Sequence, residues 1–359
     1  MTLRAASRGA AADLEDAPVE PTSPAGHARW PEETAAFARG FDRDALRVVT
    51  WNLQLLPGTF AGQGGCPVSL ERRAKRIVDN VLALARATRV DVVAFQEVWH
   101  EGAARVLRAG LRALFPHQHS PAAYCGLLTV TCADLPHVHT RFVPFRNTAS
   151  VEGWWFTKGV AAVVVEAGEE ETRNTRTCPF AVLNTHTQSD FWASGAATRA
   201  AQMLEMRALL DKIERWPRPD SRGGAHEMTK LLVGDLNVAA GSDEYRAAMR
   251  ALGDPTDILT VTPDAGADET YTFPIGTYES TVLESFLPRL CLTGGKTTFG
   301  AYVAKTPTER LDHALRFPGA DRRRAEGTPS AAIVLAGLAR GEDGAPLSDH
   351  APVFAVAQR

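Results

Sequence analysis

The sequence predicts an α/β protein, and two observations predict it. Short apolar runs rich in Val and Leu alternate with longer segments whose apolar residues recur at helical spacing, the rhythm of strands separated by helices. Side chains carrying oxygen or imidazole donors then follow directly on one apolar run after another, which is where α/β enzymes build sites at a sheet rim.

The elements follow in order. Residues 1–40 carry little apolar periodicity and are punctuated by Pro18, Pro21, Pro24 and Pro31, so they read as a flexible arm. From Leu46 the β-branched run Arg47–Trp51 predicts a strand, Leu70–Arg86 a helix, Val90–Phe95 a strand and Gly102–Leu114 a helix. Strands are expected at Gly126–Cys132, His139–Pro144, Val160–Val165 and Phe180–Thr185, then at Leu231–Val233, Leu311–Arg316, Ile333–Leu335 and Val353–Val356. Thr198–Glu214 predicts a helix with Ala201, Leu204, Ala208 and Leu209 on its apolar face. The stretches 217–228, 264–306 and 318–330 are rich in Gly, Pro, Thr and charge and read as loops.

Composition excludes several classes. The chain sets 39 Lys plus Arg against 42 Asp plus Glu, so no global cationic field favours nucleic acid, and Arg322–Arg324 reads as a solvated run. No apolar stretch reaches the roughly 18–20 residues of a membrane helix. The first 40 residues lack a basic stretch followed by an apolar one, so no secretory signal is evident, and the expectation is a cytoplasmic location or a chain shown without its leader. Five cysteines without CxxC or Cys/His zinc spacing argue against a structural zinc of that type.

The chemistry collects after the apolar runs. Asn52 follows Val48–Trp51, Glu97 follows Val92–Gln96, His186 follows Ala181–Thr185, and Asp235 and Asn237 follow Leu231–Gly234; Ser348, Asp349 and His350 precede Ala351–Val353. Each has a plain structural reading: a turn cap for Asn52, an Asx turn for Asp235 and Asn237, a satisfied buried histidine for His186, a loop pair for Asp349 and His350. A carboxylate such as Glu97 after a fully apolar strand must be paired, solvated or metal-bound. Five independent coincidences at five successive run ends multiply poorly.

The segments TWNLQLLPG, VVAFQEVWH, VLNTHTQSD, LLVGDLNV, ERLDHALRF and PLSDHAPV, spread from residue 50 to 354, resemble the endonuclease/exonuclease/phosphatase superfamily of metal-dependent phosphoesterases. Within it the likeness is greatest to neutral, Mg2+-dependent sphingomyelinases: Leu55–Pro57 after the first Asn, the Gly126–Leu128 strand followed by His139–Phe145, and Thr157–Val160, with Thr157 where sphingomyelinases carry Asn. The resemblance implies a DNase I-like four-layer α/β/β/α sandwich of two packed mixed sheets, as a single catalytic domain over 41–359.

It also implies roles. Glu97 and Asn52 would hold Mg2+, or Mn2+ or Co2+ in its place, with Asp349 completing a second metal position. His350 would act as general base, oriented by Asp312. Asp235 would orient or activate water, Asn237 would hydrogen-bond a phosphate oxygen or the leaving group, and His186 would donate to the developing charge. Lys158 is the expected phosphate-side cation and Trp192 a substrate contact, with the clusters Trp154–Phe156 and Phe191–Trp192 as candidate contacts to a lipid interface. The expected partner is a phosphodiester, with a phospholipid at a membrane surface favoured over nucleic acid, and oligomeric state left open. The competing readings are a DNase-like nuclease, an inositol-phosphate phosphatase, and a non-enzymatic interaction protein on the same scaffold.

Overall fold

The structure, a computed structural model, describes residues 30–42, 45–56, 69–121, 124–148, 153, 156–165, 179–189, 194–213, 216, 228–261, 310–317, 330–335 and 347–357. Two βαβ units form its centre. In the first, β1 (Leu46–Leu55) leads through α2 (Leu70–Ala87) to β2 (Val92–Val98), and the two strands pair in parallel. In the second, β7 (Phe180–His186) leads through α4 (Gly195–Ile213) to β8 (Thr229–Asp235), again in parallel. These four strands are buried at nearly every position because both of their faces are covered, and each carries an apolar run in its interior.

Antiparallel strands flank each pair. The first sheet adds β3 (His117–His119), β4 (Leu128–Thr131), β11 (Ala331–Val334) and β12 (Val353–Ala357), in the order β11-β12-β1-β2-β4-β3. The second adds β5 (His137–Pro144), β6 (Gly159–Val165), β9 (Thr256–Asp257) and β10 (Asp312–Phe317), in the order β5-β6-β7-β8-β10-β9. Between the sheets lies one apolar layer that includes Val48, Val92, Val182 and Val233. On the outer face of the first sheet, α2 and α3 (Glu101–Leu111) bury Ile77, Val81 and Leu107 against Trp51 and Phe95. On the outer face of the second, α4 and α5 (Asp243–Leu252) bury Met203, Met206 and Leu252 against Leu183 and Leu232. This is the expected four-layer sandwich.

The helices start where their caps fall. Ser69 Oγ accepts from Arg72 N–H, His100 Nδ1 from Ala103 N–H, and Ser242 Oγ from Tyr245 N–H, each satisfying a donor left open in a first turn. A polar bridge also crosses the sandwich. Gln96 Nε2 donates to Asn184 Oδ1 at 2.7 Å, and Asn184 Nδ2 donates to Phe95 O at 3.0 Å and to Thr129 Oγ1 at 3.2 Å.

Two expectations need correction. The last part of the arm is a helix, α1 (Trp30–Arg39), with Ala38 buried in the first outer core and Phe37 6.1 Å from the Phe354 ring; aromatic side chains supply the anchor that a composition dominated by Ala, Glu and Pro conceals. Residues 1–29 lie outside the described residues. The apolar face of α4 is rotated from the expected one: Leu204 is 61% exposed, and the buried set is Gln202, Met203, Met206, Leu209, Leu210 and Ile213. Buried Arg199 and Gln202 account for the difference, since they take core-facing positions through polar contacts that a search for apolar spacing skips.

Candidate active site

The two parallel pairs end at the same rim, and each contributes two of the expected side chains: Asn52 from β1, Glu97 from β2, His186 from β7 and Asp235 from β8. The strand ends are locally distorted. Gln54 and Glu97 have φ of 49° and 56°, and Asn237, just past β8, has 49°, the left-handed region that non-glycine residues occupy at a cost of about 1–3 kcal/mol and that concentrates at functional sites. Gly234 is required here: at its φ of +133° a Cβ would stand 2.0 Å from the Thr185 carbonyl oxygen across the β7–β8 pairing.

A hydrogen-bond network knits the rim. Asn52 Nδ2 donates to Glu97 Oε1 at 3.0 Å and to Asp235 Oδ2 at 2.9 Å, while Asn52 Oδ1 accepts from Gln54 N–H at 3.1 Å. Gln54 Nε2 donates to Asp349 Oδ2 at 3.0 Å, and Ser348 Oγ donates to the Asn52 carbonyl at 2.6 Å, so the segment before β12 is tied to β1 at two points. Trp51 Nε1 adds a third tie, to His350 O at 2.8 Å. Asp312, the first residue of β10, faces His350 with Oδ2 2.8 Å from Nδ1. That contact leaves His350 Nε2 directed at the carboxylates, 3.8 Å from Asp235 Oδ2 and 4.0 Å from Asp349 Oδ1.

Lys158, immediately before β6, is buried at 3% exposure. Its Nζ donates to Thr187 O at 2.6 Å and stands 3.3 Å from His186 Nε2. The expected site residues therefore meet at one rim, except Trp192, which lies outside the described residues with Trp154, Trp155 and Phe191. Phe156 is described, and its ring packs on Trp99 at 4.2 Å.

Electrostatics separates the roles. Burial, then the Asp349 charge, pushes the Glu97 carboxyl up to about 7, against the Asn52 hydrogen bond and the His350 charge. Burial raises Asp235 as well, with Asp312 adding to it and His350 opposing. Burial, Lys158 and His350 together hold His186 well below the ordinary histidine range, so its ring is neutral. Burial alone would depress His350, but Asp312, Asp349 and Asp235 outweigh it and hold the ring well above that range.

The donor atoms of Glu97, His186 and Asp235 converge, all within 4.8 Å of one another, and Asn52 hydrogen-bonds to both carboxylates. Asn52 presents its NH2 to both carboxylates because its oxygen is engaged by Gln54 N–H. The neutral His186 has Nε2 3.3 Å from Lys158 Nζ, where it can accept. Asn237 completes the Asx turn, its N–H donating to Asp235 Oδ1 at 2.8 Å, while Nδ2 reaches Thr187 O at 3.3 Å.

Two crowded carboxylates with raised affinity for protons, beside a neutral imidazole, offer hard anionic oxygen donors that fit a divalent cation. Sequence reasoning missed Gln54, which orients Asp349, and Arg73 on α2, which donates to the Gln54 carbonyl. A Gln inside an apolar run and an Arg on a helix give no signal of their own; contact across β1 and α2 reveals them.

Comparison with known proteins agrees with this fold. The model of the Endonuclease/Exonuclease/phosphatase family matches residues 49–350. A curated relative, Sphingomyelinase C 1 of Leptospira interrogans serovar copenhageni, is 21% identical over 222 residues, 56% of this chain and 33% of that protein. The matches to the curated relatives span about a third of those proteins' length. Among solved structures, a beta toxin variant from Staphylococcus aureus with bound magnesium ions superposes with a TM-score of 0.57 at 17% identity, covering 88% of this chain and 100% of that one. TDP2 of D. rerio, complexed with a single strand DNA product, superposes with a TM-score of 0.55 at 14% identity, covering 89% of this chain and 100% of that one. At these identities the structural likeness establishes the fold.

Proposed function

The chain belongs to the endonuclease/exonuclease/phosphatase family, whose members hydrolyse phosphodiesters, and we propose that it is a Mg2+-dependent phosphodiesterase acting on sphingomyelin or a related phospholipid, releasing phosphocholine and a lipid alcohol. The observation that carries the hydrolytic reading is the placement of the Asp312–His350 pair so that His350 Nε2 faces the Glu97, His186 and Asp235 group. The sphingomyelinase relatives support the lipid assignment.

The divalent cation would neutralise the phosphate and stabilise the leaving alkoxide. The carboxylates of Glu97 and Asp235 would hold it, with the His186 ring beside them. Asp312 fixes the His350 tautomer with Nδ1 protonated and presents Nε2 to water, which loses a proton as its oxygen attacks phosphorus; the leaving alkoxide then takes up a proton. Asp312, then Asp349 and Asp235, hold His350 protonated, so for Nε2 to accept that proton their combined field must be offset, as positive charge among the Asp349 and Asp235 carboxylates would do. Lys158 lies close enough to the same group to face an incoming phosphate oxygen.

One panel tests the reading. Phosphocholine release from sphingomyelin vesicles, plasmid nicking and phosphate release from inositol phosphates are each measured with Mg2+ and with EDTA. Mg2+-dependent phosphocholine release is the expected result; activity confined to DNA or to inositol phosphates overturns the substrate, and silence in all three overturns the enzyme.

A further inference from the structure

The sandwich has one margin where β3 and β5 run as edge strands of the two sheets. His117 and His119 stand opposite Thr131 and Thr129 in the β3–β4 ladder, and cross-strand partners share a face. Thr129 Oγ1 meets Asn184 of the second sheet, so that face is the one between the sheets. Gln118, pointing the other way, reaches the Arg108 and Phe115 carbonyls on the helix side.

On β5 the register slips, so that His137 pairs with Val165 and His139 with Val164. Val165 belongs to the inter-sheet core and Val164 to the outer one, and a bulge of this kind re-aims a side chain. His139 accordingly packs against Trp216, ring centroids 4.5 Å apart, while His137 turns inward, its ring 5.9 Å from that of His117. Nε2 of His119 and Nε2 of His137 are buried without a hydrogen-bond partner among the described residues. Val165 ends β6, which begins next to Lys158, so the cluster sits at the opposite end of the strands from the catalytic rim.

We propose that His117, His119 and His137 form a second metal site, for an imidazole-preferring transition ion of the Zn2+ class, which clips the open margin of the sandwich. Imidazole suits zinc, copper and nickel, whereas Mg2+ takes oxygen. A metal–nitrogen bond of about 2.0–2.1 Å puts two imidazoles on one ion with ring centres roughly 5–6 Å apart, a spacing His117 and His137 already have. Burial, with His119 and His117, pushes the His137 ring down to about 4, and burial lowers His119, so both are neutral ligands at neutral pH. The three histidines do not yet converge as tightly as Glu97, His186 and Asp235 do, and closing on an ion takes rotation of the rings about their side-chain torsions. The Cys-free pattern escapes the usual sequence cue for structural zinc.

Equilibrium dialysis of Zn2+ against the full-length chain carrying Glu97→Ala and Asp235→Ala, which removes the catalytic cation group, tests the site. About one equivalent should remain bound, and adding His119→Gln or His137→Gln should weaken it about tenfold or more. In the otherwise unchanged chain, His119→Gln should leave phosphodiester hydrolysis within about twofold of the parent. Zn2+ binding unaffected by either Gln substitution, or no binding at all, overturns the site. Should the variants fail to fold, electron paramagnetic resonance of Cu2+ added to the unsubstituted protein in excess Mg2+ decides: two or more nitrogen donors support it, and one nitrogen among oxygens overturns it.

Discussion

His350 can take a proton only if its second nitrogen is held and its field is balanced, and the structure supplies the first condition through Asp312. His350→Ala, Glu97→Ala and Asp235→Ala should each lower turnover by several powers of ten in a protein that still folds, each power being about 1.4 kcal/mol of barrier. A folded His350→Ala protein with near-normal rates would remove His350 from the chemistry. Lys158 admits a finer measurement. Because burial is the largest cause of the low His186 value and Lys158 the next, Lys158→Met should raise the His186 pKa while leaving it below the ordinary range. Imidazole NMR titration reads this directly, and an unmoved His186 would place Lys158 outside its field. These residues were legible as residue types after apolar runs. Their hydrogen-bond directions were not, because a single engaged atom, such as Asn52 Oδ1 held by Gln54 N–H, decides which face of an amide meets the carboxylates.

At the scale of elements, β9, β10 and α5 are joined by a buried carboxylate. Asp257 accepts from Arg310 at 2.8 and 3.1 Å and from Tyr245 Oη at 2.7 Å, with His313 Nδ1 3.3 Å away. Burial alone would raise its pKa, but His313 and Arg310 outweigh that and hold the carboxyl well below the usual carboxylate range. A depressed folded value means that stability is present above the unfolded value of about 4 and is lost as pH falls from there through the folded one. Asp257→Asn should therefore cost roughly 3–5 kcal/mol near neutrality, and its gap from the parent in urea melts should narrow as the medium is acidified below about pH 4. A gap independent of pH would dissociate the carboxylate from this role. None of this was legible in the sequence. The strand containing Asp257 has two residues and α5 a short amphipathic face, both beneath the length at which periodicity speaks. The longer β1, β2, β7 and β8 were legible because strands covered on both faces carry a continuous apolar run before their polar ends.

For the whole molecule, the family fold and the rim were readable because the six segments that carry the likeness are the strand ends themselves. Filling the rim should also stabilise the entire sandwich, since Glu97 and Asn52 come from one sheet and His186 and Asp235 from the other. Mg2+ at a hundredfold over its dissociation constant should add about 2.7 kcal/mol, read as a higher melting temperature that EDTA reverses and Glu97→Ala abolishes; a melting temperature indifferent to Mg2+ would show that the group binds no such ion. The position of β12 has a consequence in time. This strand, last in chain order, seats between β11 and β1, and the segment just before it delivers Asp349 and His350 to Gln54 and Asp312. During synthesis the first βαβ unit and most of the second sheet leave the ribosome before His350 exists. With His350 as the proposed base, a nascent chain would be chemically inert until β12 docks, so hydrolytic activity would report on that docking step.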